Sequence, residues 1–327
     1  MMPPSAARSL AMLAAFGLLF DRSSGPAEDR LSVDSVPLGG TPFAVAIAPS
    51  GVTYVTQASG GSVARAERPQ PPFSMLVPVG PLPCQVRMSP EGRTAYVGNQ
   101  NAGTVTFVNV ETSQPFATVA VPAGSILTIG LSPGGERVYA LTDYHGVYVI
   151  DALDRVVIDS IPASETGQIL TGIAFHPTAP RMYLAARDAG TVTVIDTDAD
   201  TVVKTYAVDG GRIQNVAVAR DGSELYGTDI QRSGLVIWNL RSGGPEYIEL
   251  LIGSGQVRNA FDVAVTPNNR RLYVSTLADG KVYIIDRATR MGRGSIATGG
   301  SPRYIAFDRT GTRAVIPNEM GWVNFAH

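Results

Sequence analysis

The sequence predicts an all-β fold. It is a seven-bladed β-propeller of four-stranded antiparallel blades, with the ring closed by the N-terminal strand completing the last blade. Three observations predict this. A strand–turn–strand phrase recurs seven times along the 327 residues. Its recurrences lie about 43 residues apart, the length of one four-stranded blade. The two ends of the chain carry complementary pieces of a single unit.

Each phrase begins with an apolar strand, turns, and continues into a strand centred on an apolar–Tyr–apolar triplet. Val45-Ala46-Ile47-Ala48-Pro49 leads to Thr53-Tyr54-Val55, and Val86-Arg87-Met88-Ser89-Pro90 leads to Ala95-Tyr96-Val97. The turn position returns at Pro133, Pro177, Arg220, Pro267 and Arg309. A third strand follows a Gly-containing turn, as in Gly190-Thr191-Val192-Thr193-Val194-Ile195-Asp196. A fourth ends in an apolar–Pro–apolar–Gly phrase such as Val121-Pro122-Ala123-Gly124. Alternating apolar residues, β-branched enrichment and Gly, Pro, Asn and Asp punctuation mark all four as strands. The last unit stops after its third strand, at Trp322 to His327. Leu31 to Gly40, ahead of the first unit, matches a fourth strand: Val36-Pro37-Leu38-Gly39 parallels Val77-Pro78-Val79-Gly80. The N-terminal strand is therefore expected to complete blade seven, hiding the edges of an open array. The expected organisation is an export signal over 1–27 and one propeller domain over 28–327.

The repeat resembles the YVTN-type seven-bladed β-propeller family of exported bacterial proteins. The residues that carry the likeness are Ser89-Pro90-Glu91-Gly92, Ala95-Tyr96-Val97-Gly98-Asn99, and Gly103-Thr104-Val105 through Asn109. It extends over residues 31–327. Arg220 and Arg309 at the turn, Val315 for the Tyr, and an irregular first unit near Pro69 to Pro72 depart from it. The resemblance implies the ring. It leaves the role open among ligand-binding scaffolds, surface-layer components and partners of redox systems, with lactonase and lyase propellers as more distant kin.

Composition narrows the classes. The chain is 44% apolar, which supports a large core, and its formal net charge of -2 argues against a nucleic-acid binder. One cysteine, Cys84, excludes an internal disulfide, and three histidines leave little for histidine-rich metal chemistry. Glycine (35) and proline (23) are frequent, as many turns require. Only Lys204 and Lys281 are lysine among 26 basic residues, so arginine dominates. Arg8 ahead of the short apolar run Leu10 to Phe20 reads as an export signal, so the expected location is periplasmic or secreted. The run is too short to span a bilayer, and no later segment does.

Recurring residues are structural. The tyrosines 54, 96, 139, 183, 226 and 273 are expected in the core, and Asn109, Asp151, Asp196, Asn239 and Asp286 are expected to cap turns. Exceptions on the inner strand are more informative. One column reads Ala46, Arg87, Gly130, Ala174, Ala217, Ala264 and Ala306, and Arg87 breaks it. Two residues earlier, on the same face, the column is Ala44, Gln85, Thr128, Gly172, Asn215, Asp262 and Tyr304. This polar column reads either as a ligand-binding channel wall or as water-mediated pairing between blades.

Loops at the rim add Arg212, Gln214, Arg258, Asn259 and Arg303. The second-to-third-strand loops add Asn99, Asn101, Asp143, His145, Arg187, Asp188, Asp229, Arg232 and Glu319. The arginines at 187, 212, 232, 258 and 303 cluster in blades four to seven and suit an anionic ligand or an acidic partner surface. The candidate ligand-binding set is Arg87, Asp262, Gln85, Asn215, Tyr304, Arg212, Arg258, Asn259, Arg303 and Arg187. Cys84 at the same rim is either a reactive or a packed thiol. No nucleophile elbow, phosphate loop, zinc-protease motif or dinucleotide fingerprint is present. No cofactor is implied, although Asp262, Asn215, Asn259 and Gln85 offer oxygen ligands for a divalent ion at the channel mouth. The expected protein is a monomeric, exported binding module with a small anion or a protein partner at the rim. A lactonase- or lyase-like enzyme using Arg87 and Asp262 and a structural envelope component are the alternatives.

Overall fold

The computed structural model describes residues 16–17, 31–122, 124–232, 234–242, 245–249, 251–252, 255–256 and 259–327. Seven antiparallel four-stranded sheets follow one another along the chain. Blade one is Pro42–Ile47, Thr53–Gln57, Ser62–Ala66 and Met75–Pro78. Blade two is Pro83–Met88, Thr94–Asn99, Thr104–Asn109 and Gln114–Ala120. The inner strands of blades three to six are Ile126–Leu131, Leu170–Phe175, Ile213–Val218 and Ala260–Val265. Neighbouring inner strands pack side by side, and that of blade one also meets blade seven.

Blade seven is built from both ends of the chain. Ala306–Phe307, Ala314–Asn318 and Trp322–Ala326 supply three strands, and Val33–Pro37 supplies the fourth. Val33 lies opposite Ala326 and Pro37 opposite Trp322. The expected closure is observed. A loop from blade one straps the same junction. Phe73 packs against Phe325 with centroids 6.0 Å apart, and Gln70 accepts a hydrogen bond from Arg313. Of the segment read as an export signal, residues 1–15 and 18–27 lie outside the described residues. The backbone of Phe16–Gly17 pairs in parallel with Ile248–Glu249 on the outer strand of blade five.

The recurring side chains serve the framework. All six tyrosines of the recurring column are buried. Three of their hydroxyls reach the next blade: Tyr54 meets Ser113 at 3.3 Å, Tyr139 meets Asp200 at 3.5 Å, and Tyr226 meets Arg287 at 2.7 Å. The Asp/Asn column caps turns as expected. Asp151 Oδ1 accepts from the Leu153 and Asp154 amides at 2.8 and 2.7 Å, and Asn239 Oδ1 from Arg241 and Ser242 at 2.9 and 3.0 Å.

Two polar residues that the sequence places at the rim, at the ends of the second strands of blades two and five, instead cap loops. Asn99 and Asp229 are fully buried. The Asn99 side chain accepts from Gly80 N at 3.0 Å and donates to Thr106 Oγ1 at 2.9 Å. Asp229 Oδ1 accepts from the amides of Arg212, Gln231 and Arg232, and Oδ2 accepts from Arg232 Nε at 2.8 Å. These residues tie the loop entering a blade to the loop leaving its second strand. Asp229→Ala strands several of those donors and is expected to cost about 3 kcal/mol, read as a lowered urea midpoint at unchanged slope.

Candidate functional site

The ring brings the polar column to the centre through a β-bulge. In each of the first six blades the inner strand shifts register by one extra residue near its start, between Pro83 and Gln85 in blade two and between Ala260 and Asp262 in blade six. A bulge leaves an amide unpaired and re-aims the next side chain. Hydroxyls on the second strand take up the freed amides. Asn215 N donates to Thr228 Oγ1 at 3.1 Å, and Asp262 N to Ser275 Oγ at 3.1 Å. The same hydroxyls then donate to the following blade, Thr228 to Phe261 O at 2.9 Å and Ser275 to Arg303 O at 2.7 Å. In blades five and six the bulge thus aims residues 215 and 262 while the freed amide stays satisfied.

Asp262 is buried and doubly held. Its Oδ1 accepts from Asn215 Nδ2 of blade five at 2.5 Å, and its Oδ2 from Ile305 N of blade seven at 2.8 Å. Burial pushes its pKa up to about 6, against the pull of the Ile305 amide, Arg87 and Asn215. On the other side of the ring, Gln85 is fully buried and donates to Thr128 Oγ1 of blade three at 3.5 Å. Tyr304 of blade seven is buried. Burial raises its phenol well above the usual range, and Asp262, Arg87, Cys84 and Thr128 all act on it.

Arg87 projects into the same space. It starts from blade two, yet the groups acting on its charge are Tyr304 and Asp262 of blades seven and six. Solvent reaches it, so it is half-buried, while the surrounding protein is deep enough that burial lowers its pKa. A guanidinium stays charged through such a shift. Arg87 makes no hydrogen bond and no ion pair among the described residues. The half-buried alanines 174, 217, 264 and 306 occupy the same register position in blades four to seven and leave room around it.

The mouth of the channel is aromatic. Phe43, Phe261 and Tyr304 meet edge to face with centroids 5.3 to 6.1 Å apart. The Arg303 guanidinium lies 4.6 Å from the Phe261 centroid and 5.0 Å from that of Phe43. Its Nε donates to Glu319 Oε2 at 2.7 Å. Arg303 is therefore a paired cation stacked on rings. Thr171, at the bulge of blade four, keeps a buried hydroxyl without a partner among the described residues.

The other rim arginines stand apart from this cluster. Arg187 and Arg212 share Asp188, with Arg187 Nε 3.1 Å from Oδ1. Arg212 and the shared Asp188 line an open groove of about 370 Å³ between blades four and five. Arg232 is bound to Asp229 at 2.8 Å. Asn259 adopts a left-handed backbone with φ 65°, is exposed, and accepts the Leu277 amide through its carbonyl at 3.1 Å. Arg258 lies outside the described residues. The basic rim read from the sequence is largely matched by its own acids. Cys84 is buried, donates to Gly98 O and Ile126 O at 3.3 Å, and has its pKa pushed up to about 12 by burial, so it is a packed thiol. His176 accepts two amides at Nδ1 and meets Gly222 O through Nε2 at 3.2 Å, away from the channel.

The opposite face carries a network that sequence reasoning missed. Arg287 of blade six contacts Asp221, Glu224 and Tyr226 of blade five, and Arg290 bonds Glu224, beside a pocket of about 510 Å³. Glu224 is pushed up by burial, but Arg290 and Tyr226 hold it below its usual range. The charges neutralise one another across the blade junction. The signal for it was the recurring Tyr column, whose hydroxyl needs a partner from the next blade.

Fold and channel together define a seven-bladed β-propeller with a polar centre, in which Arg87 makes no bond among the described residues. No family model and no curated protein matches the sequence, so the YVTN-type likeness remains a likeness. The structure is similar to a solved chain titled "Kuenenia stuttgartiensis Hydrazine Synthase", with TM-score 0.81 and 18% identity over 88% of this chain and 95% of that one. In all, 1801 solved chains match, so the fold is shared too widely to select a function. Among the described residues no helix is long and apolar enough to cross a membrane.

Proposed function

We propose that the protein is an exported binding module that holds a small anion in the channel at Arg87. The observation that carries this reading is the contrast between arginines. Arg303, Arg212, Arg187 and Arg232 each face a carboxylate, whereas Arg87, half-buried on the inner strand of blade two, has no bonded partner among the described residues. A guanidinium so placed keeps all its donors for a ligand, and low local polarity strengthens each bond it makes. The enzyme reading is weaker. Asp262 is a channel carboxylate raised toward neutrality by burial, but both its oxygens are already engaged. The export element rests on Arg8 and the apolar run after it.

Calorimetric titration with acetate and methanesulfonate tests the proposal. Arg87→Ala is expected to weaken anion binding roughly thirtyfold, and Arg212→Ala to leave it within about twofold. Equal affinity in the wild type and Arg87→Ala overturns the channel assignment, as does the absence of any binding by the wild type.

A further inference from the structure

We propose a second anion site, independent of the channel, in the pocket between blades five and six on the opposite face. It holds the phosphate of a small soluble phosphomonoester, with Arg270 as its anchor. The pocket, about 510 Å³, lies where the turn after the third strand of blade six meets the start of the second strand of blade five. That volume falls within the ~300–1,000 Å³ of sites for small organic molecules. Arg270, Arg287 and Arg290 line it, together with Glu224 and Asp286.

The carboxylates are already matched. Glu224 Oε2 meets Arg287 Nε at 2.9 Å, and Oε1 is bound by Arg290. Asp286 Oδ1 accepts the Thr289 amide and hydroxyl at 3.0 and 2.9 Å, and its Oδ2 meets Arg293 at 3.0 Å. Arg287 is held further by Asp221, which accepts from both its terminal nitrogens at 3.1 Å. Among these neighbours four arginines meet three carboxylates, and the surplus falls on Arg270. Its exposed guanidinium makes no hydrogen bond or ion pair among the described residues. The adjacent Asn269 also lines the pocket, and its Oδ1 accepts the Arg220 amide at 2.9 Å. Its Nδ2 donor is then left without a partner among the described residues. A guanidinium can bind two phosphate oxygens in parallel, and the amide next to it supplies a donor for a third. That donor set suits a tetrahedral anion better than a planar carboxylate, which offers two oxygens.

The junction differs from its counterparts around the ring. The turn after the third strand carries a left-handed residue: Ser113 in blade two, Arg155 in blade three, Asp200 in blade four and Arg290 in blade six. Between blades three and four, Asp200 bonds Arg137 at 2.8 Å, so an acid from the later blade answers a base. Between blades five and six the later blade brings arginines, and the local balance turns positive. Ala288 adds only a methyl group to the wall, which leaves volume for the organic part of the ester.

Glucose 1-phosphate is the probe, titrated calorimetrically at low ionic strength with glucose as its uncharged control. The wild type is expected to bind the ester and not the sugar. Arg270→Ala is expected to weaken binding about tenfold. The replaced side chain is exposed and unbonded, so the melting temperature is expected to be unchanged. Arg87→Ala is expected to leave the affinity within about twofold. No binding by the wild type, or equal affinity in Arg270→Ala, overturns the pocket and leaves the channel reading untouched. Loss of binding in Arg87→Ala alone moves the ester to the channel and overturns the pocket as well.

Discussion

Deleting residues 31–38 is expected to abolish cooperative folding. The deletion removes the strand Val33–Pro37 and uncovers the whole edge of Trp322–Ala326. It also removes Leu31, Val33, Val36 and Leu38, which pack against two core clusters. At ~1–2 kcal/mol for each partly buried side chain, about 5 kcal/mol of apolar burial is lost, before counting the unpaired strand. Total stabilities of 5–15 kcal/mol leave little margin for that loss. The open edge also invites pairing between molecules. The check is a thermal melt by circular dichroism together with gel filtration. A truncated chain that stays monomeric and melts where the full one does would show that closure is dispensable. A peptide of residues 31–40 added in trans is expected to restore solubility by rebuilding the fourth strand.

Replacing Asp262 with Asn is expected to stabilise the protein by about 3 kcal/mol at pH 8 relative to pH 4. Burial raises the Asp262 pKa to about 6, against about 3.9 in an unfolded chain. Between those values the folded state binds the proton that the unfolded state has lost. Stability from this group is therefore full below pH 4 and falls as pH rises through 6. A shift of about two units corresponds to about 3 kcal/mol. Asp196 and Asp286 carry the opposite sign. Turn amides hold their carboxylates below the usual range, so their contribution is lost only as pH falls further. Subtracting the urea stability of the wild type from that of Asp262→Asn at each pH cancels those common terms. A difference that does not change between pH 4 and 8 would mean that Asp262 is ionised at no cost.

The seven blades were legible because each repeats the same phrase, and ring closure was legible because Val36-Pro37-Leu38-Gly39 repeats the ending of blade one. Arg87 was legible as a break in a column of small residues. What sequence could not deliver was pairing. Arg212 finds Asp188, 24 positions away, and Arg303 finds Glu319, 16 away, through loop paths that periodicity does not encode. Asn99 and Asp229 looked like rim polar groups because a buried cap and an exposed ligand share one residue type. Tyr304 belongs to the polar column in sequence, but its packing against Phe43 of blade one and Phe261 of blade six follows from the closed ring, which periodicity alone does not place. The bulges of blades one to six left no mark in the residue pattern, although they decide which way Gln85, Asn215 and Asp262 point.

The joint between the two ends of the chain also sets a timetable. Ser32 and His327, bonded backbone to backbone at 2.9 and 3.0 Å, are 295 residues apart in sequence. Blades one to six can each form from adjacent hairpins as the chain emerges, because every partner lies within a few tens of residues. Blade seven cannot, since its outer strand is among the first segments made and its other three are the last. Bringing such distant segments together carries the largest loop-closure entropy in the molecule. The ring is therefore expected to lock in a late, slow step, during which an almost complete propeller waits with one sheet unfinished.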